Sequence, residues 1–502
     1  MAPESARHDR PRTESHTESR ADDPTTRREA RRQAALRRLE RRRRRGRQRR
    51  PDGGGLHRAP AAGPLAARIP VAALTGYLGA GEERLVLRDP DFAAGLRAGR
   101  DVDVLVADAR SSESELIRSL GVPLWFARHG HVWSYHYEWG KLDLVCSLEV
   151  RGLRYLSVAE VFAQRRQAPS GVWTPSPAHD ALIAWLTGLL WRGALKPCHR
   201  ERILRAAEDE PDALMRALDG AVGRHWGHYL WRRAASGRPE AADAAAGTLH
   251  RALALRALAT RPLASAGGWA RYWLAEARLR LSPPVPWVGL LGPDGSERSS
   301  VAHALSAALP PCLRRVHHAR WRPNALLPSA PATHLVEDPR GQTPYPPLLS
   351  LAKLALLTLD WWTGHLLRLS DARARGRLVV FDRCLLDLLA DPRRHRYRGP
   401  RWAARLAARL APQPEMVVAL TADAATLQPR ERDVPAVESA RQAAAYDALV
   451  RKLKAGYVVD ASQPASAVAA DVAALIAAYA RTRSARRLKL TPYAAPAPPA
   501  RA

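Results

Sequence analysis

The chain has 502 residues, 46% of them hydrophobic, with a formal net charge of +30. That is enough apolar material for about two to four domains with real cores, which excludes a wholly disordered or fibrous chain. The four cysteines, Cys146, Cys198, Cys312 and Cys384, lie far apart without a C-x-x-C pair, which argues against a disulfide framework or a cysteine metal cluster.

Residues 1–65 hold 19 Arg against 9 Asp and Glu, are poor in aromatics and end in Pro51-Asp-Gly-Gly-Gly55. They read as a disordered basic tail, with one helix across Arg27–Arg45. The run Arg41–Arg45 suits nucleic acid or an acidic surface. Arg outnumbers Lys everywhere, however, and Ala and Pro abound, as a GC-rich genome produces. Nucleic acid is therefore not the expected partner. No apolar secretory signal opens the chain, so a cytoplasmic protein is expected.

Residues 66–156 mix strands and helices. Arg84–Arg88, Asp101–Val106, Val132–Tyr137 and Lys141–Cys146 are the predicted strands. Asp101 and Asp103 stand two apart on a strand, so both carboxylates leave one face. With Asp143 on a later strand they form a candidate set of ligands for divalent metal. This segment resembles the nucleotidyltransferase superfamily, whose sites use D-x-D and a third carboxylate. The superfamily's Gly-Ser pair before the D-x-D has no counterpart here. His129, His131 and His136 lie between the acidic strands and are read as satisfied polar residues rather than ligands.

Residues 157–282 are rich in Ala, Leu and Arg at helical spacing, and Pro283-Pro284 closes them off. Residues 283–480 return to strands, at Trp287–Leu291, Leu378–Phe381, Met416–Leu420 and Tyr457–Val459, separated by helical segments. That alternation predicts a parallel, doubly wound α/β sheet. Leu348–Leu367 is nearly long enough to span a membrane, but Lys353 and Asp360 interrupt it, so a buried helix is expected. Residues 481–502 are expected to be a basic, Ala/Pro-rich tail.

The stretch Gly292-Pro-Asp-Gly-Ser-Glu-Arg-Ser299 follows the first of these strands and opens a helix. It reads as a phosphate-binding loop with two departures from G-x-x-x-x-G-K-[ST]. Gly292 and Ser299 match; Glu297 replaces a glycine and Arg298 the lysine. Such a loop wraps backbone N–H groups around phosphate at a helix N-terminus. Asp294, Gly295, Ser296, Arg298, Ser299 and Ser300 are the candidate nucleotide contacts, and the Ser299 hydroxyl is a candidate ligand for Mg²⁺. Glu297 adds a Cβ and a negative charge where the backbone approaches closest, and Arg is not equivalent to Lys.

Further residues extend the pattern. Leu378-Val-Val-Phe-Asp382-Arg383, the block Leu385–Pro400, Gln428-Pro-Arg430-Glu-Arg-Asp433, and Arg441, Gln442 and Tyr446 together resemble thymidylate kinase-like proteins, of a subgroup found among polysaccharide-biosynthesis genes. Arg322-Pro323 and Asp360 also fit. The resemblance implies an ATP- and Mg²⁺-dependent phosphotransferase acting on a nucleotide or on a phosphorylated or sugar acceptor. It implies that Asp382 sits near the metal, that Arg383 grips the acceptor's phosphate, and that Arg430 belongs to a lid over ATP. A homodimer is compatible with it. The competing expectation is a decayed, nucleotide-sensing or scaffold protein, favoured by Glu297 and Arg298.

Overall fold

The computed structural model describes residues 69–88, 91–326, 342–430 and 434–490. Contacts group the chain into two units, Met1–Ala62 and Gly63–Ala502, and every described residue belongs to the second. The expected basic tail, including Arg41–Arg45, lies outside the described residues.

The first sheet contains β1 (Arg84–Leu87), β2 (Val102–Val106), β3 (Trp125–His129), β4 (Val132–Tyr137) and β5 (Gly140–Val145), in the order β1-β2-β5-β4-β3. Only β2 and β5 run parallel; the other neighbours are antiparallel. The β2–β5 register sets Asp103 directly beside Asp143. β3 was not expected, because Trp125-Phe-Ala-Arg-His129 lacks polar alternation at its start; Trp125 and Phe126 are both buried.

Two short hairpins follow, β6 (Leu148–Val150) with β7 (Leu153–Leu156) and β8 (Arg166–Gln167) with β9 (Trp173–Thr174). Residues up to Leu281 are then helical, as expected. Their core residues Leu182, Trp185 and Leu186 pack in one cluster with Leu85, Leu87 and Val145 of the first sheet. The helical region and the first sheet thus bury their apolar faces against each other.

The second sheet is wholly parallel: β10 (Trp287–Leu291), β11 (Val316–Arg320), β12 (Leu378–Asp382), β13 (Met416–Thr421) and β14 (Gly456–Asp460), in the order β11-β12-β10-β13-β14. This is the α/β layer read from the alternating pattern. Its central strands are unbroken apolar runs because helices cover both faces. Val301, Leu305, Val472 and Ile476 pack on one face, and Trp361, Tyr446 and Val450 on the other. β11 was missed, since the edge strand Val316-His-His-Ala-Arg320 is half-exposed and carries no apolar run. From β10 the chain goes first to β11 and β12 on one side and then to β13 and β14 on the other. The loop after β10 thus lies at the switch point of the sheet, where such folds bind ligands.

Two expectations need correction. Residues 481–490 are not a tail: the last helix runs Ala465–Arg487. Its end ties the two sheets together, because Ser484 Oγ donates to Leu124 O at 2.8 Å and Arg481 pairs with Glu138 at 2.7 Å. Arg483 donates to Pro284 O at 2.6 Å, Pro283 O at 2.8 Å and Glu415 at 2.5 Å. Basic composition alone does not distinguish a solvated tail from a helix whose arginines cap carbonyls. Arg483→Ala should cost about 2 kcal/mol, the usual scale for losing charge-assisted bonds. The urea midpoint should fall at an unchanged m-value.

The second correction concerns Leu348–Leu367. The helix Pro347–Gly364 buries Leu354, Leu357, Asp360 and Trp361, but leaves Leu348, Leu349, Leu356, Leu359 and Trp362 exposed. A helix apolar on every side gives no sequence signal of which face is covered. Among the described residues one helix, Ala465–Arg487, is long and apolar enough to cross a membrane by length and composition. It packs on the second sheet through Val468, Val472 and Ile476.

Candidate functional site

The loop after β10 adopts the turn its glycines allow. Gly292 has φ 153°, and a Cβ there would stand 2.3 Å from Leu420 O; Gly295 has φ 82°. Glu297 is left-handed as well, at φ 50°. A non-glycine residue held there costs about 1 kcal/mol. Among the described residues, the N–H groups of Gly295, Glu297, Arg298, Ser299 and Ser300 find no acceptor. They face the start of the helix Arg298–Ala308, an arrangement of donors suited to phosphate.

Arg298 does not project outward. Its guanidinium donates to Gly292 O and Pro293 O, to Ser296 Oγ at 3.2 Å, and to Asp382 Oδ1 at 3.4 Å. Burial, followed by the nearby Arg383, lowers its pKa. The Ser299 hydroxyl donates to Asp382 Oδ2 at 2.7 Å. A hydroxyl and a carboxylate this close are hard oxygen donors that fit Mg²⁺, which commonly takes one or two protein ligands beside phosphate oxygens.

β12 delivers Asp382 and Arg383 to this loop. Arg383 N donates to Leu290 O at 2.9 Å, and the residue turns left-handed at φ 70°. Its guanidinium grips Asp387 through two bonds of 3.0 and 3.1 Å and reaches Asp294 Oδ1 at 2.7 Å. Burial opposes the charge on Arg383, but Asp387, Tyr446 and Asp294 outweigh it and raise its pKa. Asp387 is fully buried, and it also accepts from Tyr446 Oη at 2.6 Å and meets His395 Nε2 at 2.9 Å. Against the cost of burial, Arg383 and His395 hold its carboxyl below the usual range. Arg394 adds two bonds to Asp294, at 2.7 and 2.8 Å. Three guanidiniums, from Arg298, Arg383 and Arg394, thus converge on Asp294.

Arg430 sits at the rim of the loop, donating to Ala461 O at 2.7 Å and Ser462 O at 2.9 Å and pairing with Glu297 at 3.3 Å. The remaining lid residues, Glu431–Asp433, lie outside the described residues. Gln442 accepts from Asp294 N at 3.4 Å, and Arg441 pairs with Glu438. Arg322 stands 3.8 Å from the buried Asp360. Sequence reasoning named Tyr446 and the Asp391–Arg394 block but missed Asp387. The available signal was its position four residues after Arg383 at the start of a helix, which suits an i,i+4 ion pair.

The acidic residues of the first sheet also come together, but as ion pairs. Lys141 Nζ donates to Asp101 Oδ2 at 3.0 Å and to Asp143 Oδ2 at 2.6 Å, while Arg88 pairs with Asp103. Asp143 Oδ1 is buried without a hydrogen bond. Burial pushes the Asp103 carboxyl up to about 6, partly countered by Arg88. Lys141 is pushed up to about 12 by Asp143 and Asp101, against its burial. No group of three or more His, Cys, Asp or Glu among the described residues is placed to hold a metal ion. Asp101, Asp103 and Asp143 therefore do not fit the divalent-metal role expected for them, since Lys141 lies where the cation would have to sit. The histidines serve elsewhere: His129 pairs with Glu276, His131 with Glu149, and His136 stacks on Trp125.

These three carboxylates line a cavity of about 580 Å³ whose far wall comes from the helical region. Sequence reasoning named none of that wall's cations, which are separated in sequence from the D-x-D.

No protein-family model matches the chain, and no curated protein matches it.

Proposed function

We propose that the second sheet carries an ATP- and Mg²⁺-dependent phosphotransferase that acts on a phosphorylated acceptor, such as a nucleotide or sugar phosphate, in the cytoplasm. The carrying observation is the convergence at the switch point: unpaired loop N–H groups, the Ser299–Asp382 pair 2.7 Å apart, and three guanidiniums on Asp294. The loop N–H groups would bind the β- and γ-phosphates, and Ser299 with Asp382 would hold Mg²⁺, which spreads the charge of the transferring phosphoryl group. Arg298 would turn from the loop carbonyls toward that phosphoryl group. Arg383 and Arg394 would grip the acceptor's phosphate, for which a paired fork is well shaped. In that reading Asp294 is the resident anion that the acceptor phosphate displaces. The exposed leucines of the Pro347–Gly364 helix would be covered by a second copy of the chain; sedimentation as a monomer at micromolar concentration would rule that out.

One observation favours a second reading, a nucleotide site that has lost its chemistry. Glu297 takes the glycine position and pairs with Arg430, while Arg298 is spent on the loop's own carbonyls. The combined variant Glu297→Gly, Arg298→Lys separates the two. If the unaltered protein binds ATP–Mg²⁺ with micromolar affinity in calorimetry, and the variant changes this less than tenfold, the decayed reading fails. If only the variant binds, the phosphotransferase reading fails.

A further inference from the structure

We propose that the cavity between the first sheet and the helical region is a second ligand site, which takes a phosphorylated small molecule without a divalent cation, Lys141 standing where a metal would otherwise bridge the carboxylates. This site does not depend on the phosphotransferase reading of the second sheet.

The carboxylate wall is already paired with two cationic side chains. Lys141 bridges Asp101 and Asp143, and Arg88 holds Asp103. The cations are themselves anchored: Asp180, on the helix Pro177–Thr187, accepts from Arg88 N at 2.9 Å and pairs with Arg202 Nε at 3.0 Å. Mg²⁺ demands near-octahedral oxygen at about 2.1 Å, so Lys141 would first have to leave both partners. The Oδ2 atoms of all three aspartates are taken by Lys141 and Arg88, and Asp143 Oδ1 is buried without a hydrogen bond.

The opposite wall is short of anions. Arg192 and Lys196 line the cavity without a close ion pair to an acid, Lys196 feeling the charge of Asp103 only at a distance. Arg192 is carried by a π-helical turn, Gly188–Arg192, that ends at Gly193 with φ 75°. Such wide turns interrupt helices often at functional sites. Arg202 and His199 line the same side, and Arg88 reaches into the cavity from the end of β1. Burial and the surrounding cations push His199 down to about 4, and burial with Arg192 and Arg88 lowers Lys196. Cations held together in a partly dry cavity are relieved by a bound anion. Guanidinium and ammonium groups side by side suit a phosphate dianion or pyrophosphate. Trp191 and Tyr155 supply apolar wall for the organic part of the ligand, and about 580 Å³ matches a small-molecule site.

The test uses the full chain and inorganic pyrophosphate in EDTA, titrated calorimetrically. The expected result is a binding step weakened at least tenfold in the Arg192→Ala, Lys196→Ala variant and retained in Arg298→Ala, Arg394→Ala, which removes two phosphate-facing cations from the second sheet's site. Pyrophosphate binding that is unchanged in the Arg192/Lys196 variant overturns the anion site. A second arm measures Mn²⁺ by spin resonance in the Asp382→Ala protein. No bound Mn²⁺ that disappears on adding Asp103→Asn is expected. A Mn²⁺ site removed by Asp103→Asn would overturn the metal-free assignment. Loss of pyrophosphate binding in Arg298→Ala, Arg394→Ala, with Arg192/Lys196 silent, would place all phosphate binding on the second sheet and also sink the proposal.

Discussion

Asp382→Ala should remove the Mg²⁺-dependent part of nucleotide binding and lower ATP turnover by about 10²–10³-fold, the scale for losing one preorganised charge at a phosphoryl-transfer site. The reason lies in the placement of the carboxylate at the C-terminal end of β12. There it accepts from Ser299 at 2.7 Å and from Arg298 at 3.4 Å. In the proposed site, removing it would leave Ser299 without its carboxylate partner at the metal and free Arg298 to swing. In EDTA the sign reverses. Asp382 then only repels phosphate, so the variant should bind ATP as tightly as the unaltered protein, or more so. Calorimetry with and without Mg²⁺ reads both halves. A variant that keeps the full Mg²⁺ enhancement would remove Asp382 from the metal site. The carboxylate is on the site's surface rather than in the core, so the melting temperature should move little. That separates a lost ligand from a damaged fold.

Asp387→Ala should be the most destabilising single change at the site, by about 3–5 kcal/mol, because it strips a buried guanidinium of its main partner. Asp387 is fully buried and bound by Arg383, Tyr446 and His395 together. In the phosphotransferase reading it would position Arg383, to which it is bonded twice, rather than touch the acceptor. Acceptor affinity should therefore fall in parallel with stability, while ATP affinity changes much less. The pH dependence follows from the direction of its shift. Its folded pKa lies below the usual carboxylate value, so the stabilisation is complete above about pH 4, where the unfolded group ionises. It is lost as pH falls through the folded pKa. The stability gap between the unaltered protein and Asp387→Asn, from urea melts, should be constant from pH 7 to 5 and shrink below pH 4. A gap that widens toward acid would show that the buried carboxyl is protonated in the fold.

The loop, the strand ending in Asp382-Arg383 and the two acidic strands were legible because each is local. A glycine turn before a helix, an apolar run closed by a charge, and carboxylates two apart on a strand are patterns of consecutive residues. The half-polar edge strand Val316–Arg320 and the covered face of Pro347–Gly364 were not legible, because what packs against them decides their state. Glu297 and Arg298 showed that the loop departs from its pattern, but only the folded loop shows where that departure leads. Arg298 turns inward onto Gly292 O and Pro293 O, and Glu297 reaches Arg430.

By itself, then, the amino-acid sequence determined a parallel α/β layer with a phosphate-type loop after its first strand, since periodicity and turn chemistry act over a few residues. Tertiary structure alone decided which charges meet. Lys141 closes the gap between Asp101 and Asp143, and Asp294 collects Arg298, Arg383 and Arg394 across as many as 100 residues of chain. Coulombic partners are selected by distance in the fold and not by separation along the chain, so the same aspartates that suggest metal ligands in the sequence become ion pairs once the sheet is built.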